Sequence, residues 1–306
     1  MSFLDFPNEL ILNVAENLPP KALNSLLKTS HRLAYLLTPL LHKIAIEPVG
    51  ECPALCWAAS KGHELLVRFL LERGTPVEAR DGKSMNALIS AARNGHEEIV
   101  RALLNAGANI ASQEYYNGLT ALHWAARAGH ESIVRLLLEQ GADVNRRDTL
   151  ESYLVEPVDR NKARPQPAKH IMGRDNTPLH WATHSGYNSV VRLLLKNGAN
   201  LNDRNSLRDT PLIVAAGMAS ESTIRLLVNG GANLNAQNLR GWTALHCAAR
   251  NELEKSVKLF LAEGANALLE DNGGLPPLRY TGRTKKPVRK MLLQHQFERV
   301  NPVTSL

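Results

Sequence analysis

The sequence predicts an all-α fold: a solenoid of stacked helix pairs joined by hairpin loops, preceded by a small three-helix domain. Three observations carry that prediction. A phrase of Thr, then Pro or Ala, Leu and His, followed by paired alanines and a glycine, recurs along most of the 306 residues. It stands nearly unaltered at Thr120-Ala121-Leu122-His123, Thr177-Pro178-Leu179-His180 and Thr243-Ala244-Leu245-His246, with looser copies at Pro53-Ala54-Leu55-Cys56, Asn86-Ala87-Leu88-Ile89 and Thr210-Pro211-Leu212-Ile213. Its leucines fall 33, 34, 57, 33 and 33 residues apart. The third observation is an apolar N-terminal stretch outside this period, broken by prolines.

That stretch, residues 1–44, reads as three short helices. Pro7 suits a first helical turn, Pro19-Pro20 interrupts, and Pro39 marks the end of the third helix. Its opening, Phe6-Pro7-Asn8-Glu9-Leu10, with Ile11, Val14 and Leu18 and the leucines of the second helix, resembles an F-box. Phe6 stands where the motif usually has leucine, and Tyr35 where a tryptophan is common nearby. The resemblance implies that Phe6, Pro7, Leu10, Ile11, Val14, Leu18 and Leu26 form a surface for the Skp-type linker of a cullin ubiquitin ligase. The alternative is a helical cap over the apolar end of the first repeat, which an open solenoid needs. Leu10, Ile11, Val14, Leu18, Leu23, Leu26, Leu27, Leu33, Leu36, Leu37, Leu40 and Leu41 have more than one face to bury, which favours a partner surface.

After a linker at 45–51, the repeats occupy residues 52–293. One unit shows the physics. Thr177 caps a helix whose first position, Pro178, has no N–H to lose and a preset φ. Gly186 stops that helix; the next carries Val190, Val191, Leu193, Leu194 and Leu195 and ends at Gly198. About 33 residues cannot bury a stable core alone, so each pair must stack on its neighbours. The repeat length and the Thr-Pro-Leu-His phrase resemble the ankyrin family over roughly 52–293. An F-box followed by such repeats resembles a family of filamentous fungi.

In ankyrin proteins the hairpin tips and the residues before the helix-ending glycine face a groove. By that resemblance Arg80, Lys83, Met85, Arg93, Asn94, Tyr116, Asn117, Arg127, His184, Arg240, Trp242, Arg250 and Asn251 are the candidate target contacts. Arginines and aromatic rings dominate interface energetics, so the expected target is an acidic, partly apolar segment of another protein. The whole then reads as an adaptor for ubiquitination, the alternative being a scaffold or inhibitor without that link.

Between the third and fourth repeats the connection is 24 residues longer than its neighbours, and the extra stretch, about 149–174, holds Pro157, Pro165 and Pro167. Insertions in repeat proteins map to loops. Charge concentrates at the other end: of a net +7, +6 lies in the last 28 residues, from Arg279. That region starts as a shortened seventh repeat, Pro277-Leu278 with Val288, Met291 and Leu292, and continues into a tail at 294–306. The run Lys285-Lys286-Pro287-Val288-Arg289-Lys290 reads as capping surface or an import signal.

Several functions find no support. The sequence holds no G-x-S-x-G, no phosphate-binding loop and no H-E-x-x-H, so no catalysis and no cofactor are expected. Cys52, Cys56 and Cys247 show no paired metal spacing and read as reduced, buried thiols. Basic charge confined to one end, without a recognition helix, argues against nucleic acid. No run of 18 uncharged apolar residues exists, so the chain is expected in cytoplasm, nucleus or both, not in a membrane. His123, His180 and His246 are expected to bond backbone and a neighbouring hydroxyl at a helix start, and His63, His96 and His130 to recur for the same reason. Trp57, Trp124 and Trp181 share one repeat position and are expected to pack as an aromatic ladder.

Overall fold

The computed structural model describes residues 54–82, 84–148, 174–282 and 287–300, with side chains to Phe297. The N-terminal segment 1–44 with its seven linker-binding candidates, the linker 45–51, Cys52, Lys83, the insertion at 149–173, Lys285, Lys286 and the end of the tail lie outside these residues.

The chain divides into two compact units between Asn109 and Ile110. Among the described residues the first contains two helix pairs, α1 (Ala54–Lys61) with α2 (Glu64–Glu72) and α3 (Ala87–Asn94) with α4 (Glu97–Asn105). The second contains four: α5 (Ala121–Ala128) with α6 (Glu131–Glu139), α7 (Pro178–Ser185) with α8 (Asn188–Lys196), α9 (Pro211–Gly217) with α10 (Glu221–Asn229), and α11 (Ala244–Arg250) with α12 (Glu254–Ala262). A 3₁₀ turn at Pro277–Tyr280 and α13 (Pro287–Val300) follow. Within each unit first helices stack on first helices and second on second, the α13 helix packing on α12 and the 3₁₀ turn on α11. This is the all-helical solenoid stacking that the repeat period predicts.

The period itself builds the core. Leu55, Leu88, Leu122, Leu179, Leu212 and Leu245, one per repeat, are all at most 1% exposed. Removing such a side chain costs about 2–5 kcal/mol. The alanine pairs Ala58-Ala59, Ala91-Ala92, Ala125-Ala126, Ala215-Ala216 and Ala248-Ala249 are fully buried, because only a methyl group lets adjacent first helices approach closely. In the fourth repeat the second alanine is replaced by Thr183, equally buried, whose hydroxyl finds no partner among the described residues. Helix ends follow the letters: Gly186 and Gly198 adopt φ of 76° and 85°, the left-handed region glycine enters without cost. At the C-terminal end Pro277, Val288 and Leu292 are buried, so the shortened seventh repeat covers α11 and α12.

On the second helices, Arg68, Arg101 and Arg135 pair with Glu64, Glu97 and Glu131 at 2.9 Å, one turn away. Half-exposed pairs of this kind contribute about 0.3–0.5 kcal/mol each.

Candidate protein-binding site

The capping histidines do what their position predicts, and more. The backbone N–H of Thr120 donates to Nδ1 of His123 at 3.2 Å, and the Thr120 hydroxyl lies 2.9 Å from the same nitrogen. With Nδ1 accepting, the proton sits on Nε2, which donates to the carbonyl of Asn176 in the next repeat at 3.1 Å. His180 and His246 repeat the arrangement, donating to Asp209 and Leu275. Each ring thus ties its own helix cap to the following hairpin. Burial holds His123 and His180 down at about 4, and lowers His246 as well. In the first repeat the thiol of Cys56, which takes the same slot, donates to Ala79 and Met85 carbonyls.

The histidines after the glycines behave differently from the expectation. His63, His96 and His130 make no capping hydrogen bond. His96 instead lies over Gly62, where an added Cβ would sit 2.6 Å from the ring, with Nε2 3.3 Å from the Ser60 carbonyl. Tyr187 fills the equivalent place over Gly129. These positions set repeat spacing.

A second periodic position escapes a reading by letters. Asp81, Glu114, Asp148, Asn205, Asn238 and Asp271 come after the leucines in the same steps of 33, 34, 57, 33 and 33. Their side-chain oxygens accept the backbone N–H groups that close each hairpin: Met85 on Asp81, Tyr116 and Asn117 on Glu114, Leu207 and Asp209 on Asn205, Arg240 and Trp242 on Asn238, Gly273 and Leu275 on Asp271. Asp148 does the same across the insertion. Its N–H donates to the Asn176 carbonyl at 3.0 Å, and the Asn176 N–H returns to Asp148 Oδ1 at 2.7 Å. The inserted chain therefore leaves and re-enters through an ordinary hairpin closure. Burial pushes the Asp148 carboxyl up to about 6.

Two of the tryptophans that share the repeat position are joined through a cation. The Arg127 guanidinium lies over the Trp124 ring at 5.2 Å and over the Trp181 ring at 4.7 Å, so a cation joins the two indoles. Trp57 meets His63 at 5.0 Å. His184 meets Trp181 edge to face at 6.3 Å. A second cluster surrounds Trp242, which stacks with His246, meets Tyr280 at 4.7 Å and carries Arg250 over its face at 5.4 Å. Both Trp242 Nε1 and the Tyr280 hydroxyl donate to Asp271, and the Tyr280 bond is the main cause that holds this carboxyl near 2.

The other candidate contacts fall into three groups. Arg80, Arg93, Asn94, Tyr116, Asn117, Arg240, Arg250 and Asn251 are exposed; Arg127, His184 and Trp242 are half-buried. Met85 is in the core, with Arg93 Nη1 3.8 Å from its sulfur, because its register points it beneath the hairpin. Asn251 spends its amide on the carbonyls of Ala216 and Gly217, tying α11 to the end of α9. Tyr115, not anticipated, is exposed and meets Tyr116 edge to face at 5.8 Å, on the turn that Glu114 holds rigid. Arg93 thus rests on a sulfur, and Arg127 and Arg250 on indole faces, contacts that attract a guanidinium.

A profile of the family described as ankyrin repeats (3 copies) matches residues 28–114, 55–148, 150–238, 179–271 and 219–301. The chain belongs to the ankyrin-repeat family. Among solved structures, the human ASB11 ankyrin repeat domain is 26% identical, covering 79% of this chain and 96% of that one with a TM-score of 0.64. The ankyrin repeat domain of Bcl-3, a member of the IkappaB protein family, is also 26% identical, covering 80% and 99% with a TM-score of 0.61. An ankyrin repeat protein of Rickettsia bellii is 54% identical over 37 residues, so the match spans 12% of this chain and 16% of that relative. Ankyrin repeats are protein-interaction scaffolds, and the exposed tyrosines and first-helix arginines fit that use. No helix among the described residues is long and apolar enough to cross a membrane.

Proposed function

We propose that this ankyrin-repeat protein is a substrate-recognition adaptor: its N-terminal segment docks on the Skp-type linker of a cullin ubiquitin ligase, and its first-helix and hairpin side holds a target protein with an acidic segment. The observation that supports target binding is the exposed pair Tyr115 and Tyr116, which meet edge to face on the turn that Glu114 closes. Ligase docking rests on the sequence of the segment, in particular Phe6, Pro7, Leu10, Ile11, Val14, Leu18 and Leu26. The repeats need no catalytic group for this work, since the ligase's other subunits supply the chemistry.

Co-purification with a Skp-type linker tests the adaptor. Truncating buried interface side chains commonly costs about 2–4 kcal/mol each, or roughly 30- to 1000-fold in affinity. Leu10→Ala with Ile11→Ala should eliminate linker recovery while leaving the repeats folded, because their stability is set by neighbouring repeats. A wild-type chain that recovers no linker, with the double variant lowering the melting temperature, identifies the segment as a cap and the protein as a plain scaffold.

A further inference from the structure

We propose that Arg208 and Arg240, with Leu207 and Leu239 beside them, form a reader on the hairpin tips of the fifth and sixth repeats for a target segment in which an aliphatic side chain is flanked by acidic residues. This rests on the target-binding reading and does not depend on ligase docking.

Backbone geometry singles out Arg208. In each described hairpin the residue two before the helix cap has a left-handed backbone: φ is 58° at Ser84, 71° at Gly118, 64° at Asp175, 58° at Arg208, 76° at Gly241 and 71° at Gly274. Glycine enters this region freely, and side chains there crowd the following carbonyl. Among these six only Arg208 carries a long side chain. The strain has no return inside the chain. The turn asks this slot only for its N–H, which Arg208 donates to the Asn205 carbonyl at 2.8 Å, as Gly241 does to Asn238 at 2.9 Å. The Arg208 side chain is exposed and makes no hydrogen bond or ion pair among the described residues. Glu252, left-handed at 55°, contrasts with it: its carboxylate accepts the Gly282 N–H at 2.9 Å and so ties two repeats together. Strain held without such a bond points to use by a partner.

The surrounding tips supply the rest of the chemistry. Backbone hydrogen bonds stitch one tip to the next: Ser206 N–H to the Arg174 carbonyl at 2.8 Å, Leu239 N–H to the Leu207 carbonyl at 2.9 Å, and Asn272 N–H to the Arg240 carbonyl at 3.1 Å. Leu207 and Leu239 are therefore neighbours across two tips, and Leu239 is 52% exposed. Each is followed by an exposed arginine, Arg208 or Arg240. The carboxylates of the fifth hairpin are engaged: Asp203 pairs with Arg147 at 2.5 Å, and half-buried Asp209 accepts from Asn238 Nδ2 at 2.8 Å and lies in the field of Arg240. What faces outward is an apolar pair edged by cations, on backbone already fixed by its own bonds, so binding orders little. Its complement is an aliphatic side chain with carboxylates beside it.

Selection of phage-displayed random peptides on the full chain tests this. The enriched peptides should carry Asp or Glu next to Leu, Ile or Val, and a synthetic copy of the strongest supplies the probe for fluorescence anisotropy. Arg208→Gly should weaken its binding about tenfold while raising the melting temperature by about 2–4 °C, since glycine relieves the turn. A substitution that merely damaged the fold could not move the two readouts in those directions. Arg240→Gln and Leu239→Ser should each weaken binding about tenfold without that rise. Arg192→Gln, which removes an exposed charge from α8, should change affinity by less than about twofold, because salt screens charges remote from the site. No enrichment, enrichment without acidic residues, or affinity indifferent to Arg208→Gly overturns the reader. An equal loss in Arg192→Gln reduces it to bulk charge and overturns it too, and an Arg208→Gly chain that melts no higher removes the strain from which it is inferred. Peptides that need Tyr115 and Tyr116 but not Arg208 overturn it and leave target binding standing. Linker recovery is unaffected by any of these results.

Discussion

Acid should unfold this protein through its capping histidines well before its carboxylates are protonated in bulk. His123 and His180 are fully buried, and their hydrogen bonds demand the neutral ring: Nδ1 accepts from a backbone N–H and Nε2 donates to a carbonyl. Unfolded, such a ring takes up a proton below its ordinary value of 6.5; folded, it resists to about 4. Stability is therefore intact above about 6.5 and is lost as pH falls from there toward 4. At pH 5 each ring removes about 2 kcal/mol, or about 4 kcal/mol for the two. Asp148 works in the opposite sense. Its carboxyl, raised from 3.8 to about 6 by burial, is protonated first in the folded chain and returns about 1 kcal/mol at pH 5. His246, also lowered, adds to the loss, and Asp209, also raised, to the return. The net loss of about 2–3 kcal/mol corresponds to a melting temperature lower by about 5–10 °C in a domain of this size. Thermal melts followed by circular dichroism at pH 7, 6 and 5 measure it. His123→Ile with His180→Ile supplies the control, because Ile89 and Ile213 already occupy the same slot in the second and fifth repeats. The double variant should lose most of the difference between pH 7 and pH 5, whatever its stability at neutral pH. A wild-type melting temperature that is flat over this range, or a double variant with the full drop, refutes the reasoning.

Thr183→Val should raise stability by about 1 kcal/mol, since it removes a buried hydroxyl that has no partner among the described residues and keeps the shape; a lower melting temperature would show that the hydroxyl is bonded. Ala111→Asn should add about 0.5–1 kcal/mol by completing a ladder in which Glu78, Asn145, Asn202 and Asn235 each accept the N–H of Asn109, Asn200, Asn233 and Asn266 at 2.7–2.8 Å, and in which the methyl group of Ala111 offers no oxygen to Asp143. Hydrogen exchange at the Asp143 amide reads that rung directly, and no added protection would exclude it. Leu212→Ala should cost about 2–5 kcal/mol and melt the fifth repeat with its neighbours, as chemical denaturation would report; a loss below 1 kcal/mol would contradict its place in the core.

The stacked helix pairs are legible in the sequence because their causes are written as letters at a fixed step. A leucine, two alanines, a threonine cap and a glycine each act within a few residues, so sequence shows both the device and its period. The hairpin-closing oxygen has the same period and is hidden, because Asp, Glu and Asn supply it interchangeably and no single letter repeats. The histidines are half legible. Their caps are local, but the bond from Nε2 runs to a backbone carbonyl of the next repeat, and a carbonyl has no letter at all. The candidate site departs from the sequence reading at two residues: Met85 shares its register with the buried Leu119 and Asn176 and turns inward with them, and Asn251, though exposed, reaches back to Ala216 and Gly217.

The insertion and the Trp181–Arg127 pair meet at one residue on the border between those two kinds of contact. By length alone the 24 extra residues interrupt the array, and the array continues undisturbed because one carboxylate closes the gap as it would close any hairpin. That carboxylate is also the acceptor for Trp181, and Trp181 carries Arg127. The insertion is thus rooted at the position that accepts from the indole beneath Arg127, with the turn's own hydrogen bonds retained. Repeat proteins gain specificity in this way at little cost to folding, because the stabilising contacts are periodic and the side chains that read a partner are not.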